Sequence, residues 1–287
     1  MNNAAGVQWF PGHMAKTRRL ISSSLRLVDI VVEITDARIP FSSRNPEMDK
    51  LCNNKKRVIL LNKCDYADPN MNDRWLNYYS SKGIPAVLTD CRSGKGLKTL
   101  SGIIREALKE QLSRQKAKGM ETKPIRMMVV GIPNVGKSSF INRLANGRKA
   151  KVEDRPGVTK GCQWVSTSDN MELLDMPGVL WPKFDDPLVG ERLAFTGAVK
   201  DDILDIEYLA IRLIDVLREK YSALLDARYN ISDYAELESY DVLKMIASKR
   251  GMLVTGGEVD TERASIMLFD EFRSGKIGRI TLEAPEE

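Results

Sequence analysis

Gly131-Ile132-Pro133-Asn134-Val135-Gly136-Lys137-Ser138 follows the apolar run Met127-Met128-Val129-Val130 and leads into Phe140, Ile141 and Leu144, which recur at helical spacing. Strand, glycine-rich loop and helix in that order are the context in which G-x-x-x-x-G-K-S becomes a phosphate cradle. Backbone N–H groups from Asn134 through Ser139 would wrap the phosphates after Pro133, which has no N–H, and the helix N-terminus adds partial positive charge. Lys137 is expected to reach the outer phosphates and Ser138 to offer its hydroxyl to Mg²⁺. The stretch predicts a nucleoside triphosphate site.

The 287 residues have room for roughly two domains. No apolar run approaches the ~20 residues that span a bilayer, which argues against an integral membrane protein. Cys52, Cys64, Cys91 and Cys162 form no C-x-x-C pair and share the chain with a single histidine. They read as free thiols of a reducing cytosol rather than metal ligands. The net charge of +5 hides an asymmetry: residues 1–195 hold 32 Lys+Arg against 20 Asp+Glu, and residues 196–287 hold 12 against 19. A basic first part fits a polyanion such as RNA, although scattered charge is more often simply solvated.

Residues 1–28 lack acids and carry Lys16, Arg18, Arg19 and Arg26, the composition of a mitochondrial targeting peptide. The stretch runs straight into an apolar strand, Ile30–Ile34, and contains Trp9-Phe10-Pro11-Gly12-His13-Met14, a string that a discarded leader does not need. Pro-Gly predicts a turn, and Leu20, Ile21, Leu25 and Val28 an amphipathic helix after it. His13 stands at that turn, where a helix-cap or surface role competes with a catalytic one.

A second strand, Arg57–Leu61, delivers Asn62-Lys63-Cys64-Asp65. In this N-K-x-D pattern the aspartate accepts hydrogen bonds from guanine N1–H and the exocyclic amine. Adenine has no matching donors and would leave the carboxylate unpaired. Asn62 would brace the loop and the Lys63 stem would cover the purine. The strand Ala86–Thr89 then gives Asp90-Cys91-Arg92-Ser93-Gly94-Lys95-Gly96, similar to the S-A-x-x-G-x-G loop of GTPases that contacts guanine O6. Asp90 and Cys91 occupy the Ser and Ala positions, so only the backbone role carries over. A helix is expected over Leu97–Leu112, and 113–124 reads as a basic linker.

Beyond the phosphate loop, residues 146–161 predict a long loop in which Thr159 would close over the γ-phosphate and Mg²⁺. Strands at Gln163–Thr167 and Met171–Leu174 lead to Asp175-Met176-Pro177-Gly178. D-x-x-G gains meaning from its place at a strand end: Asp175 would hold Mg²⁺ through water and the Gly178 N–H would sense the γ-phosphate.

The order is guanine loop, O6 loop, phosphate loop, threonine loop, D-x-x-G. With Trp9–Met14, Asp36-Ala37-Arg38-Ile39-Pro40 and a helical tail, it resembles the circularly permuted GTPases, most closely those of ribosome biogenesis. The resemblance covers essentially the whole chain. It implies a circularly permuted P-loop GTPase domain over 1–194, α/β with three layers and a mostly parallel sheet. A small α-helical domain over 195–287 would contact rRNA. It also implies a bacterial cytoplasmic GTPase, monomeric off the ribosome, that acts in late assembly of the large (50S) subunit with rRNA and ribosomal proteins as partners. Permutation runs the second switch, 175–194, directly into the C-terminal domain, a covalent lever for phosphate-dependent motion. Ras-like enzymes place a glutamine after the D-x-x-G glycine to orient water, and here that residue is Val179. Intrinsic turnover is therefore expected to be slow, with His13 as the catalytic group that the resemblance points to. Asn134 resembles the asparagine that binds K⁺ in potassium-stimulated GTPases, against a loop-bracing role.

Helices are expected from Phe195 onward: one on which Ile203, Ile206, Leu209, Leu213 and Leu217 share a face, then 234–249 and 260–272. Lys249, Arg250, Arg273, Lys276 and Arg279 are candidates for RNA contact within an acidic region. Two alternatives stay open at this level. One is an RNA-binding scaffold stabilised by nucleotide; the other is a permuted GTPase serving the small subunit or tRNA.

Overall fold

The computed structural model describes residues 11–52, 55–119, 123–145, 163–167, 169–178, 180–181, 184 and 186–285. Its elements run α1 (Pro11–Ser24), β1 (Ile30–Asp36), α2 (Glu47–Leu51), β2 (Lys56–Asn62), α3 (Pro69–Ser81), β3 (Ala86–Thr89), α4 (Leu97–Ala107) and α5 (Lys109–Ala117). They continue with β4 (Ile125–Val130), α6 (Lys137–Leu144), β5 (Gln163–Ser166) and β6 (Met171–Asp175). Four helices complete the order: α7 (Pro187–Phe195), α8 (Ile206–Tyr229), α9 (Ser239–Lys249) and α10 (Thr261–Arg273).

The described part of residues 8–183, with 283–285, forms one compact unit, and 184–282 form the other. The second unit takes in α7, ahead of the 194/195 division that the resemblance implies. Asp186 caps α7 by accepting from Leu188 N, Pro187 sits in its first turn, and Phe195 at its end stacks on Phe269 of α10 with centroids 6.1 Å apart.

In the first unit a six-stranded sheet runs in the order β3-β2-β1-β4-β6-β5, with β5 alone antiparallel. This is the expected mostly parallel α/β sheet. Residue pairing puts Val31 beside Met128 and Met128 beside Leu174, so these side chains share a face. There they pack on Ile21 and Leu25 and on Met48 of α2. Ile59 and Leu61, on the same face by register, pack on Trp75 and Tyr79 of α3. The alternate residues Val32, Ile34, Val58, Leu60, Met127 and Val129 are also buried, so both faces are covered and the unit has three layers.

The order of strand addition reverses between the parallel neighbours β1 and β4: β1 to β3 build outward on one side, and β6 and β5 flank β4 on the other. Crevices at such reversals, outside the carboxyl ends of the strands, are where open α/β sheets hold ligands. Every motif of the sequence analysis that falls on described residues of the sheet leaves at that end.

Some local expectations give way. Pro11 is the first residue of α1, so Pro-Gly opens the helix rather than forming a turn ahead of it. The helix after β3 breaks at Leu108, with φ −101° and ψ 6°, and α5 then continues to Ala117 through what reads as linker. Its polar residues are good helix formers without an apolar face. Residues 201–203 form a separate 3₁₀ turn, so Ile203 stands outside α8. The second and third tail helices start at Ser239 and Thr261. No helix of the described residues is long and apolar enough to cross a membrane.

Candidate nucleotide-binding site

Asn62, the last residue of β2, is 3% exposed and ties three loops together. Its Nδ2 donates to the Val135 carbonyl of the phosphate loop at 2.7 Å. Its Oδ1 accepts from Cys91 N at 2.9 Å and from Thr89 Oγ1 at 3.4 Å. The end of the site that would read a base and the end that would cradle phosphates are thus held by one amide, and the Cys91 N–H serves as part of that brace. Lys63 follows in the left-handed region with φ 61°. The loop is further pinned by Cys64 N to Thr89 O at 3.2 Å and by Asn72 Nδ2 to Cys64 O at 3.1 Å. Asp65 is half-buried beside them.

The Lys63 ammonium lies 2.8 Å from Asp36 Oδ2, at the end of β1. Burial pulls the Lys63 pKa down, and Asp36 opposes that pull. Asp36 also accepts from Arg38 N, Nε and Nη2 at 3.0, 2.9 and 2.7 Å. Burial alone would raise the Asp36 pKa, but the charges and hydrogen bonds of Arg38 and Lys63 hold it far below the carboxylate range. In the sequence Asp36 and Arg38 stand within Asp36-Ala37-Arg38-Ile39-Pro40, and the signal for Asp36 is a carboxylate at the carboxyl end of a central strand.

In the O6 loop, Asp90 accepts from Arg92 N at 2.8 Å and Ser93 N at 3.3 Å, folding its own turn. Burial raises its pKa, but these hydrogen bonds and Arg92 bring it below normal. Burial pushes the Cys91 thiol up to about 12, so it stays protonated and inert at neutral pH. Among the described residues Cys52, Cys64 and Cys91 are buried thiols outside any disulfide, and Cys162 lies outside the described residues.

The phosphate loop needs its glycines. Gly136 has φ +103°, and a Cβ there would sit 2.3 Å from Asn62 Nδ2. A Cβ on Gly131 would meet the Ile34 carbonyl at 2.5 Å. Between them Pro133 is half-buried, Asn134 is exposed with φ 62°, and Val135 is buried. Gly136 caps α6, so Lys137 and Ser138 open the helix and their N–H groups lie among its unpaired donors. Ser138 is exposed and Ser139 half-buried.

Lys137 Nζ donates to the carbonyls of Gly131 and Ile132, both at 2.9 Å, and so spans its own loop. Gly178 lies against this bridge: a Cβ on it would fall 2.5 Å from Lys137 Nζ and 3.2 Å from Pro133 N. D-x-x-G therefore meets the phosphate loop in space. Burial lowers the Lys137 pKa to about 8 against the pull of Asp175, and burial raises that of Asp175 against the pull of Lys137. A partly buried ammonium attracts a polyanion and a partly buried carboxylate attracts a cation. The hydroxyl of Ser138 and the carboxylate of Asp175 are hard oxygen donors that fit Mg²⁺ shared with phosphates. Among the described residues no three His, Cys, Asp or Glu side chains cluster as a metal cage.

Three expectations fall outside this description. Thr159 and its loop, and Val179, are not among the described residues, and His13 is described only as part of the first turn of α1. In the second unit Arg273 is committed to structure: it donates to the carbonyls of Phe195 and Ala194 at 3.1 and 2.8 Å and pairs with Asp201 at 2.6 Å. Arg250 donates to Arg228 O at 3.1 Å and lies over the Tyr229 ring. Neither is a simple solvated cation set aside for RNA.

A family model described as 50S ribosome-binding GTPase matches residues 126–247. The match begins within the phosphate-loop strand and leaves out Asn62–Asp65, as expected when the guanine loop precedes the phosphate loop. The chain is 47% identical to ribosome biogenesis GTPase A of Priestia megaterium, covering 98% of each chain. It is 31% identical to the protein of that name from Thermotoga maritima, over 98% of this chain and 95% of the relative. Among solved structures it is similar to the GDP-bound structure of TM YlqF, with TM-score 0.67 and 27% identity over 93% of this chain and 99% of that one. The GNP-bound structure of YlqF from T. maritima gives TM-score 0.64 and 28% identity over 95% and 99%.

Proposed function

Because this chain belongs to the ribosome biogenesis GTPase A family and is a GTPase, we propose that it is an assembly switch for late maturation of the large (50S) ribosomal subunit. In this reading guanine is selected by Asp65, with Asn62 holding the base loops on the phosphate loop and Lys63 covering the purine. Backbone groups of Asp90 and Cys91 line the O6 side. The phosphates lie along residues 133–139, with Lys137 on the outer oxygens and Gly178 at the γ-position. Mg²⁺ held by Ser138 and Thr159, and through water by Asp175, would neutralise charge on the phosphates. K⁺ beside Asn134 is proposed as a second cation. The chain is read as cytoplasmic and monomeric away from the ribosome, with rRNA and ribosomal proteins of the large-subunit precursor as its partners.

The observation that carries this reading is the Asn62 brace, because it makes the base loops and the phosphate loop one rigid receptor. Preorganisation of that kind lets a nucleotide bind without ordering three loops. The switch reading adds that Gly178 touches Lys137 while the chain beyond it continues into the second unit, so a γ-phosphate there bears on that connection.

The test is GTP hydrolysis in K⁺ buffer, alone and with purified large or small ribosomal subunits, with Na⁺ as the comparison. Stimulation by the large subunit alone supports the assembly-switch reading. Stimulation by the small subunit alone, or by neither, overturns it.

A further inference from the structure

The loop from Ala37 to Ser43 has no regular structure, yet every residue of it except Phe41 is buried. Buried backbone groups need partners. Two are met by a residue from the far end of the chain: Glu283, 4% exposed, accepts from Phe41 N at 2.7 Å and from Ser42 N at 3.1 Å. The Ser42 hydroxyl donates to the same carboxylate, and Trp75 Nε1 of α3 donates to the Glu283 carbonyl at 3.1 Å. Glu283 thereby belongs to the sheet-containing unit, although 184–282 before it belong to the helical one. Two residues earlier, Thr281 is held inside the helical unit: its N–H donates to Tyr221 Oη at 3.1 Å and its carbonyl accepts from Tyr221 Oη at 2.9 Å. Tyr221 is the residue at which α8 kinks, with φ −140°.

From Glu283 a continuous path leads to the base loop. Ser42 adjoins Ser43, whose Oγ accepts from Asp36 N at 2.9 Å. The Asp36 carboxylate holds Lys63 Nζ, in the second position of N-K-x-D. We propose that Glu283 is a positioning residue for guanine nucleotide: it closes the 37–43 loop, which fixes Asp36 and through it Lys63, so that release of the tail loosens the base site. The inference rests on reading Asn62–Asp65 as the guanine loop. A carboxylate suits the place because three donors converge on it; an amide would turn its own N–H groups toward them. The tail thus gives the helical unit a second covalent connection to the nucleotide unit, through a residue that acts on base affinity rather than on phosphate.

The experiment uses the full chain and a fluorescent GDP analogue, with GTP and ATP as competitors, on wild type, Glu283→Ala and Glu283→Gln. Losing charge-assisted hydrogen bonds at one remove from the ligand is expected to raise GDP dissociation and the KM for GTP each by ~10-fold in Glu283→Ala, with kcat within about twofold. Glu283→Gln, which keeps one acceptor, should fall between and carries the comparison should the alanine variant not fold. A melting temperature that drops in both variants while dissociation and KM stay at wild-type values overturns the proposal and leaves Glu283 a structural staple. Wild type that does not prefer GDP to ATP overturns the guanine-loop reading itself, a result seen before any variant is measured.

Discussion

Gly136 lies so close to Asn62 that a Cβ on it would come within 2.3 Å of Nδ2. That nitrogen is bonded to the Val135 carbonyl and cannot retreat without breaking the brace. Gly136→Ala also forces a side chain into φ +103°. The variant is expected to bind GDP at least ~10-fold more weakly and, because the brace it breaks is buried, also to show a lower unfolding midpoint. Equilibrium titration with fluorescent GDP checks this, and wild-type affinity would show that the loops reorganise around the ligand.

Asp65, half-buried at the end of the base loop, is the residue proposed to select guanine. Asp65→Asn turns one acceptor into a donor, which suits the 2-oxo group of xanthine better than the 2-amino group of guanine. GTP affinity should fall by ~100-fold and XTP should gain, because a mispaired buried polar group costs about 1–3 kcal/mol. Competition between GTP and XTP gives the measurement. Loss of both would mean that Asp65 holds the loop rather than the base.

Asp36 provides a pH signature. Its folded pKa lies below the unfolded value because Arg38 and Lys63 outweigh burial, so its contribution to stability is present above the unfolded pKa and declines as pH falls from about 5 toward the folded value. Asp36→Asn leaves the buried Arg38 without this carboxylate and should cost roughly 2–4 kcal/mol at pH 7. The gap in melting temperature between wild type and Asp36→Asn should therefore narrow between pH 6 and the lowest pH at which both still melt cooperatively. A gap independent of pH would remove Asp36 from the titrating groups.

What the sequence makes legible here is local. Gly131–Ser138, Asn62–Asp65 and the strands that deliver them are short patterns whose geometry is written in adjacent residues, and the sheet puts them at one end. The α7 helix is legible too, in Asp186 as cap and Pro187 after it, although it lies within 175–194, the stretch expected to be a switch. α5 was not legible from apolar periodicity, because it buries no residue. Least legible was Glu283, because its partners Phe41 and Ser42 stand more than 240 residues away and nothing near it in sequence marks a carboxylate for their N–H groups.

On the proposed reading, Gly178 and Lys137 would distinguish the two nucleotide states. A Cβ on Gly178 would press on the flexible end of Lys137 but also on Pro133 N at 3.2 Å, which belongs to the loop backbone. GDP does not use the γ-position, so Gly178→Ala should leave GDP affinity within about threefold while GTP affinity and kcat each fall by ~10-fold or more. Parallel GDP and GTP titrations with single-turnover hydrolysis test it. Equal losses for both nucleotides would mean that the methyl distorts the phosphate loop rather than the γ-site.

Hydrolysis also needs a group to orient water, and Val179 after Gly178 has no polar atom in its side chain. His13, the one histidine of the chain, lies in the first turn of α1, a short way along the chain from Ile21 and Leu25, which pack on the sheet. His13→Ala is therefore expected to lower ribosome-stimulated kcat by about 100-fold, the scale of a lost general base or water-positioning group, with GDP and GTP affinities unchanged. His13→Gln, which keeps a hydrogen-bonding side chain, should retain part of the stimulated rate. If the alanine variant hydrolyses GTP at the wild-type rate on the large subunit, water is oriented by a group that the subunit itself supplies.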